Sequence, residues 1–410
     1  MSQKVHTPIQ HQVQAGNHGS PDLLVIGAGI FGLWAARHAL KRGERVLVTE
    51  KRSVGAGASG GFLGALMPHM PDRWNAKKQM QYEGLRSLET AIAALEADTG
   101  LDCGYRRCGR LMPLVHEKML DHLAERVAGA DENWRDETGR QAFTLEHVAP
   151  GELENRFVLP DGNSWLSPDV ASFGAAHDTL SARVNPRACL AALAHFVDSH
   201  ENGRILEGAE VAALHRETCS VTLADGTAIS AGRIAVANGW EAYGLIEGMA
   251  ARLGGQKVTG RGVKGQAVLL ELPHGDDLPI VYDSGSYIVP HGNAMGVDGS
   301  GRANRIAVGS TSIDAWLPDG AGEGALEAAR TGYNAADTGF FDHACTLCPA
   351  IAPASVAERW ANVRPRNTIP DPKTGKIGTE PVFGQLQDHE QISVAVGGFK
   401  ISFGLAHLPW

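Results

Sequence analysis

The stretch "DLLVIGAGIFGLWAARHALKRGERVLVTE", residues 22–50, sets the fold. Asp22 to Ile26 is a short apolar run that stops at glycine, the pattern of a buried parallel strand. Gly27, Gly29 and Gly32 come next with G-x-G-x-x-G spacing. The first glycine allows a sharp turn, the second lets backbone approach a pyrophosphate, and the third lets a helix pack on the strand. Phe31 to Gly43 then carries helical apolar spacing and closes on a glycine suited to a C-cap. The start of that helix, Ile30 and Phe31, would face the phosphates, where free N–H groups and the dipole favour anions. Arg45 to Glu50 reads as the next strand. Glu50 ends it, 23 positions after Gly27, about where an acid bonds a ribose hydroxyl. A glycine triplet alone is a weak signal; strand, triplet, helix, strand and acid in one unit predict a dinucleotide-binding domain.

Context matters, because "GRGVKG", Gly260 to Gly265, has the same glycine spacing. No helix comes after it; "QAVLLEL" reads as a strand, so this triplet is assigned no nucleotide.

The residues after Glu50 separate the nucleotides. "KRSVGAGASGG", Lys51 to Gly61, is a second glycine-rich segment with Ser59 inside it. A nicotinamide enzyme needs no such segment here, whereas a chain running past a second phosphate and then a flat ring would. The pattern resembles the flavoprotein superfamily that includes D-amino acid oxidase, glycine oxidase and monomeric sarcosine oxidase. That resemblance implies FAD, held non-covalently. It places Glu50 and Lys51 at the adenosine ribose, Ala58, Ser59 and Gly60 across the pyrophosphate, and "GGFLGALMPH" running toward the isoalloxazine.

The resemblance covers nearly the whole chain after residue 20. "ARVNPRACLAAL", Ala182 to Leu193, looks like the family's helix that begins after a D/N-P-R turn, and Pro186 suits a helix start. Val211 occupies the family's position for backbone contact with adenine. "VTLADGTAISAGRIAVANGW" reads as a hairpin turning at Asp225-Gly226 and then a buried strand. Its end, Ala237 to Trp240, reads "ANGW" where the family usually has "aGaW", and implies cofactor contacts at Ala237 and Gly239. "VKGQAVLLEL", "SYIVPHGNA" and "IAVGSTSIDAW" resemble consecutive strands of the family's second domain. Gly397, Gly398, Phe399, Lys400 and Ile401 resemble the final flavin-contacting turn. The spacing before that turn is shorter than the family's, which leaves two registers open. The helix after it stops early, at Trp410.

The fold class expected is therefore α/β: a Rossmann-like FAD-binding domain with a second, mostly antiparallel-sheet substrate domain. Residues 1–20 read as a flexible arm. The FAD-binding domain is expected over 21–100, 168–248 and 364–410, and the substrate domain over 101–167 and 249–363.

The resemblance also implies the chemistry. A small amine, of amino acid or N-substituted glycine type, loses hydride to flavin N5 and leaves as an imine that water hydrolyses. The protein then supplies binding, orientation and charge. Arg364, in "VRPR", lies where glycine oxidase has its carboxylate-binding arginine; Arg366 replaces it if the register slips. A guanidinium grips a carboxylate with two parallel bonds. Lys400 resembles the sarcosine oxidase lysine near the substrate carboxylate, and Tyr287 sits at the position of a pocket tyrosine. His69 and His291 are candidates to take a proton from a substrate ammonium. Structural roles compete for each: loop arginine, solvated lysine, packing tyrosine, ordinary histidines. No cysteine lies in Val363 to Gly378, where sarcosine oxidases attach flavin covalently.

Bulk properties agree with an enzyme of this kind. The 410-residue chain is 43% hydrophobic, enough for a large core, with a net charge of −9. It carries no basic patch for nucleic acid and no apolar run of the roughly 18 residues a bilayer span needs. The first twenty residues lack a secretory signal's apolar region. Six cysteines make no disulfide framework, and the pairs Cys103/Cys108 and Cys345/Cys348 have no shared spacing, so free thiols, no metal and a reducing cytoplasm are expected. Partners expected are the amine, oxygen or another electron acceptor, and a further copy or partner subunit. Two rival readings remain open: a flavin dehydrogenase acting on an aminophosphonate or opine-like amine, and a catalytically degenerate flavin-binding subunit.

Overall fold

The computed structural model describes residues 20–409 except 248, 250, 293–296, 299–301, 318–322, 371–374, 376, 379 and 388. Apart from Ser20, the arm expected over residues 1–20 lies outside the described residues, as does Trp410.

Two sheets organise the chain. The first has six strands, in the order 382–386, 389–396, 233–236, 23–26, 46–49 and 203–206. All its pairings are parallel except the first, which is an antiparallel hairpin. Leu23–Ile26 is buried along its whole length, because a parallel strand is covered on both faces. Helices Ile30–Lys41, Ala76–Thr99 and Pro186–Ser199 cover one face, through Leu33, Trp34, Leu88, Ile92 and Leu193. The small sheet that starts at Val211–His215 covers the other, with Val221, Ile234 and Val394 between them. Asn185 caps the third helix from its side chain and Pro186 opens it, as a proline at the first helical position should.

The second sheet has nine strands and is mostly antiparallel; one pair, Ile280–Asp283 with Arg110–Pro113, is parallel. Its longest strand, Gly260–His274, lies one in from the edge, paired on one side with the edge strand Ser355–Asn367 and on the other with Arg302–Gly309. Alternation along this strand sets the two faces. Val268 and Leu270 join Trp165, Phe340 and Leu347 on one side. Ala267 and Leu269 face Phe62 on the other, where "GGFLGA" crosses the sheet. The glycine spacing of "GRGVKG" thus lies within a strand. A buried ion pair, Arg110 with Asp178 at 2.7 Å, also ties this sheet to the crossing segment, since Arg110 donates to the Pro68 carbonyl.

Sheet membership differs from two of the boundaries read from sequence. The division between 363 and 364 falls inside Ser355–Asn367, which pairs with Gly260–His274 without interruption through Arg364. Ala175–Asp178 pairs in the nine-stranded sheet, with Arg110–Pro113. Among the described residues no helix is long and apolar enough to cross a membrane.

Candidate functional site

A cavity of about 570 Å³ opens where the carboxyl ends of the parallel strands meet one face of the second sheet. Ile26, Thr49, Ala237 and Ala395 form its wall on the first side; Tyr287, Ser310, Trp360 and Arg364 form it on the second. A crevice at the carboxyl edge is where open α/β sheets bind ligands.

The nucleotide end is built from the glycine turn and its flanking strands. Gly27 has φ +102, and a Cβ there would lie 2.6 Å from Asn238 Cα. A Cβ on Gly32 would lie 1.9 Å from the Gly27 carbonyl oxygen. The first glycine therefore makes the turn and the third lets the helix start against it. Helix Ile30–Lys41 points its first turn at the cavity, and N–H groups there have no partner within the helix. Ile30 N–H donates to Ser59 Oγ at 3.1 Å, so the second glycine-rich segment is laid across the first turn. The carbonyls of Ala56 and Gly57 accept hydrogen bonds from Asn362, and Ala56 also from buried Arg330. The second domain thus holds that loop by its carbonyls. Glu50 accepts from Ala28 N–H at 2.9 Å and Arg52 N–H at 3.0 Å, with acceptor capacity left for a hydroxyl. Lys51 pairs with Glu210 at 2.7 Å.

The other end is cationic. Arg364 is 8% exposed and, among the described residues, hydrogen-bonds only neutral groups: Ser310 Oγ at 3.1 Å, the Thr311 carbonyl at 2.5 Å and Ser312 Oγ at 3.3 Å. Its Nε is buried without a partner. Burial pulls its pKa down to about 10, which leaves it charged at neutral pH. Lys400 Nζ stands 4.9 Å from the Tyr287 ring centroid. Burial, then repulsion from Arg364 and Arg366, pulls Lys400 down to about 8. Desolvation pushes the Tyr287 phenol far above its ordinary value, so it stays protonated. Phe399, the ring beside these cations, has φ +43, a left-handed conformation costing of order 1–3 kcal/mol.

These geometries match a known family. The family model of FAD dependent oxidoreductases, DAO, covers residues 22–408. The chain belongs to this family. The glycine oxidase of Geobacillus kaustophilus is 24% identical over 400 residues, 92% of this chain and 88% of that one. A crystal structure of glycine oxidase from that organism superposes with TM-score 0.72 at 20% identity, covering 94% and 91% of the two chains. The iminodiacetate oxidase of Chelativorans sp. BNC1 gives TM-score 0.72 at 21% identity, covering 94% and 92%. An uncharacterized oxidoreductase of Bacillus subtilis, YurR, is 29% identical over 167 residues; the match spans 40% of this chain and 41% of that protein. At these identities the structural likeness is one of fold.

As a family member this protein is an FAD-dependent oxidoreductase, and its cavity suits FAD. The cradle at Gly27 has no room for a side chain. Asn238 Oδ1 and Arg52 Nε, on two residues of the cavity wall, are buried polar atoms without partners in the protein. Such atoms are costly unless a ligand satisfies them.

The residues read from sequence are distributed unevenly around it. Gly27, Gly29, Ile30, Phe31, Glu50, Lys51, Ala58, Ser59, Val211, Ala237, Gly239, Tyr287, Arg364, Phe399 and Lys400 line the cavity. Gly32, Gly60, Gly397, Gly398 and Ile401 stand behind the wall. A Cβ on Gly60 would meet the Gly55 carbonyl oxygen at 2.2 Å, and one on Gly398 would meet Ser402 Oγ at 2.2 Å. Ile401 borders a small void beside Lys400. His69 is exposed, and its ring bonds Gln81 Oε1. His291 is buried, with Nε2 on the Phe62 and Leu63 carbonyls at 2.7 and 3.1 Å. Neither histidine lines the cavity.

Sequence reasoning missed Asn238, Arg52, Trp360 and Ser310 as wall residues. Only Asn238 carried a signal, as the departure of "ANGW" from the family pattern. The second glycine triplet also has a use. A Cβ on Gly265 would lie 2.6 Å from Arg364 Cζ, so this glycine leaves the space in which the guanidinium rests.

Proposed function

We propose that this protein oxidises the C–N bond of a small amine that carries an acid group, an amino acid or N-substituted glycine. One observation carries the reading: a buried arginine and a lysine line the cavity with no carboxylate facing them. Among the described residues neither Arg364 nor Lys400 has a carboxylate oxygen within 4.0 Å. An uncompensated buried cation costs stability, so a site that keeps one is suited to bind an anion. The names of the relatives, glycine oxidase and iminodiacetate oxidase, agree with an amine that bears a carboxylate.

FAD, when bound, accepts the hydride from the carbon beside nitrogen. The chain's own residues do the rest. Arg364 grips the acid, held in place by Ser310, Thr311 and Ser312. Lys400 adds charge on the same side and stands against the Tyr287 ring. Tyr287 stays protonated beside them, its ring 4.9 Å from that of Tyr282. Gly265 keeps the guanidinium in its seat.

The test is anaerobic. Flavin-loaded protein is mixed with glycine, sarcosine, D-alanine and other amino acids without oxygen. Bleaching of the visible flavin band by an acid-bearing amine supports the reading, and the rate of recolouring in air separates oxygen from another acceptor. A flavin that no such amine bleaches overturns it.

Two further results are expected. Gly265→Ala displaces the guanidinium by about the 1 Å that costs roughly 100-fold in a well-ordered site. Steady-state kinetics should show kcat/KM down by that factor with the flavin absorbance unchanged. The second result is a pH dependence. In the free enzyme Lys400 is charged below about pH 8 and loses its charge as pH rises through that value. Affinity for the substrate's acid group should therefore fall above pH 8 in a stopped-flow pH series, and Lys400→Met should flatten that fall. The stability effect runs the other way. The folded state releases this proton at about 8 and the unfolded state near 10.5, so Lys400's contribution to stability rises with pH between those values.

A further inference from the structure

We infer that the substrate carries two negative charges rather than one, the second held between Lys400 and Arg366. This rests on the amine reading for the reacting group, though not for the charge.

Arg364 and Arg366 lie two apart on one strand, so they project from the same face of the sheet. Their guanidinium carbons stand 4.9 and 5.4 Å from the centroid of the Phe399 ring, and Lys400 Nζ stands 5.9 Å from it. Three cations thus meet at one cavity-lining ring; Arg364 and Lys400 line the cavity itself, and Arg366 reaches the ring from behind its wall. None has a carboxylate within 4.0 Å among the described residues, and neither Lys400 nor Arg366 makes a hydrogen bond there. This occurs in a chain with 46 acidic and 37 basic residues, where partners are plentiful. Other arginines of the same sheet have acids: Arg110 has Asp178, Arg261 has Asp314, and Arg305 has Glu271.

One carboxylate satisfies one guanidinium in bidentate fashion. With Arg364 so occupied, Lys400 and Arg366 still repel each other beside Phe399. A second negative charge relieves that repulsion; a single one leaves it in place. The dianion has either two carboxylates or one doubly charged group such as a phosphonate, and both meet the same three cations.

The experiment separates charge from amine chemistry by using probes that are not amines. FAD-loaded protein at pH 7 and constant ionic strength is titrated with acetate, malonate and sulfate, reading the perturbation of the visible flavin band. Malonate or sulfate should bind at least about 10-fold more tightly than acetate. Preference for malonate places the charges on two groups; preference for sulfate places them on one. Arg366→Gln, checked for retained flavin, should shrink the preference to near one. Equal affinities for all three probes overturn the inference while leaving the amine reading intact. A dianion preference that Arg366→Gln leaves unchanged overturns the assignment to Arg366. A flavin that amines fail to bleach, but that still prefers dianions, retires the amine reading and keeps the charge.

Discussion

Arg364→Leu should raise KM for acid-bearing amines by about two to three orders of magnitude, a loss of about 3–4 kcal/mol in binding. The protein should still purify yellow, because Arg364 lies at the cationic end of the cavity and the cradle at Gly27 is untouched. Its thermal midpoint should hold or rise. The free protein keeps a guanidinium buried against three neutral oxygen acceptors, with Nε unpartnered. Removing that charge relieves a desolvation cost that no carboxylate of the described residues offsets. Arg364→Lys should recover part of the affinity, since the charge returns without the planar fork. The measurements are steady-state kinetics and a melting curve on the same preparations. A leucine variant with wild-type KM would remove Arg364 from the substrate site.

Gly27→Ala should give colourless protein. A Cβ there would press on Asn238 Cα at 2.6 Å and on the Ala237 carbonyl oxygen at 2.8 Å, both backbone atoms that cannot swing aside. The φ of +102 adds a backbone penalty for any L side chain. The turn and the neighbouring strand end would have to separate, and both form the cofactor cradle. FAD affinity should fall by about two to three orders of magnitude, equal to about 3–4 kcal/mol, read by fluorescence as the apoprotein is titrated with FAD. Gly43→Ala is the control. Gly43 also has a positive φ, +82, but a Cβ there meets nothing within 4 Å. It should lose about 1 kcal/mol of stability at the helix end and bind FAD normally. If both variants lost FAD alike, general destabilisation rather than the cradle would explain the first.

Local pattern was enough to specify the nucleotide unit. Strand, glycine turn, helix and closing acid are neighbours along the chain, and hydrogen-bonding periodicity imposes each of them locally. The strands of the second sheet were legible mainly through the family resemblance, since Gly260–His274 is buried in a continuous run rather than in alternation. Resemblance to a family pointed to Arg364, Lys400 and Tyr287, all now on the cavity wall. Packing between distant segments settled what stands beside what. Gly265 and Arg364 are 99 positions apart, and only the antiparallel register brings the empty Cβ position of one under the guanidinium of the other. His69 fits the chemistry of a base, yet the chain leaves it exposed and bound to Gln81. Gly397 and Gly398 look like flavin-approaching glycines, and only the packing shows that they also make room for Asn367 and for the Phe31 ring. That three cations with no acidic partner among the described residues share one aromatic ring is the plainest case. Local pattern names each residue, but whether a charge has a partner depends on which distant segments the packing places around it.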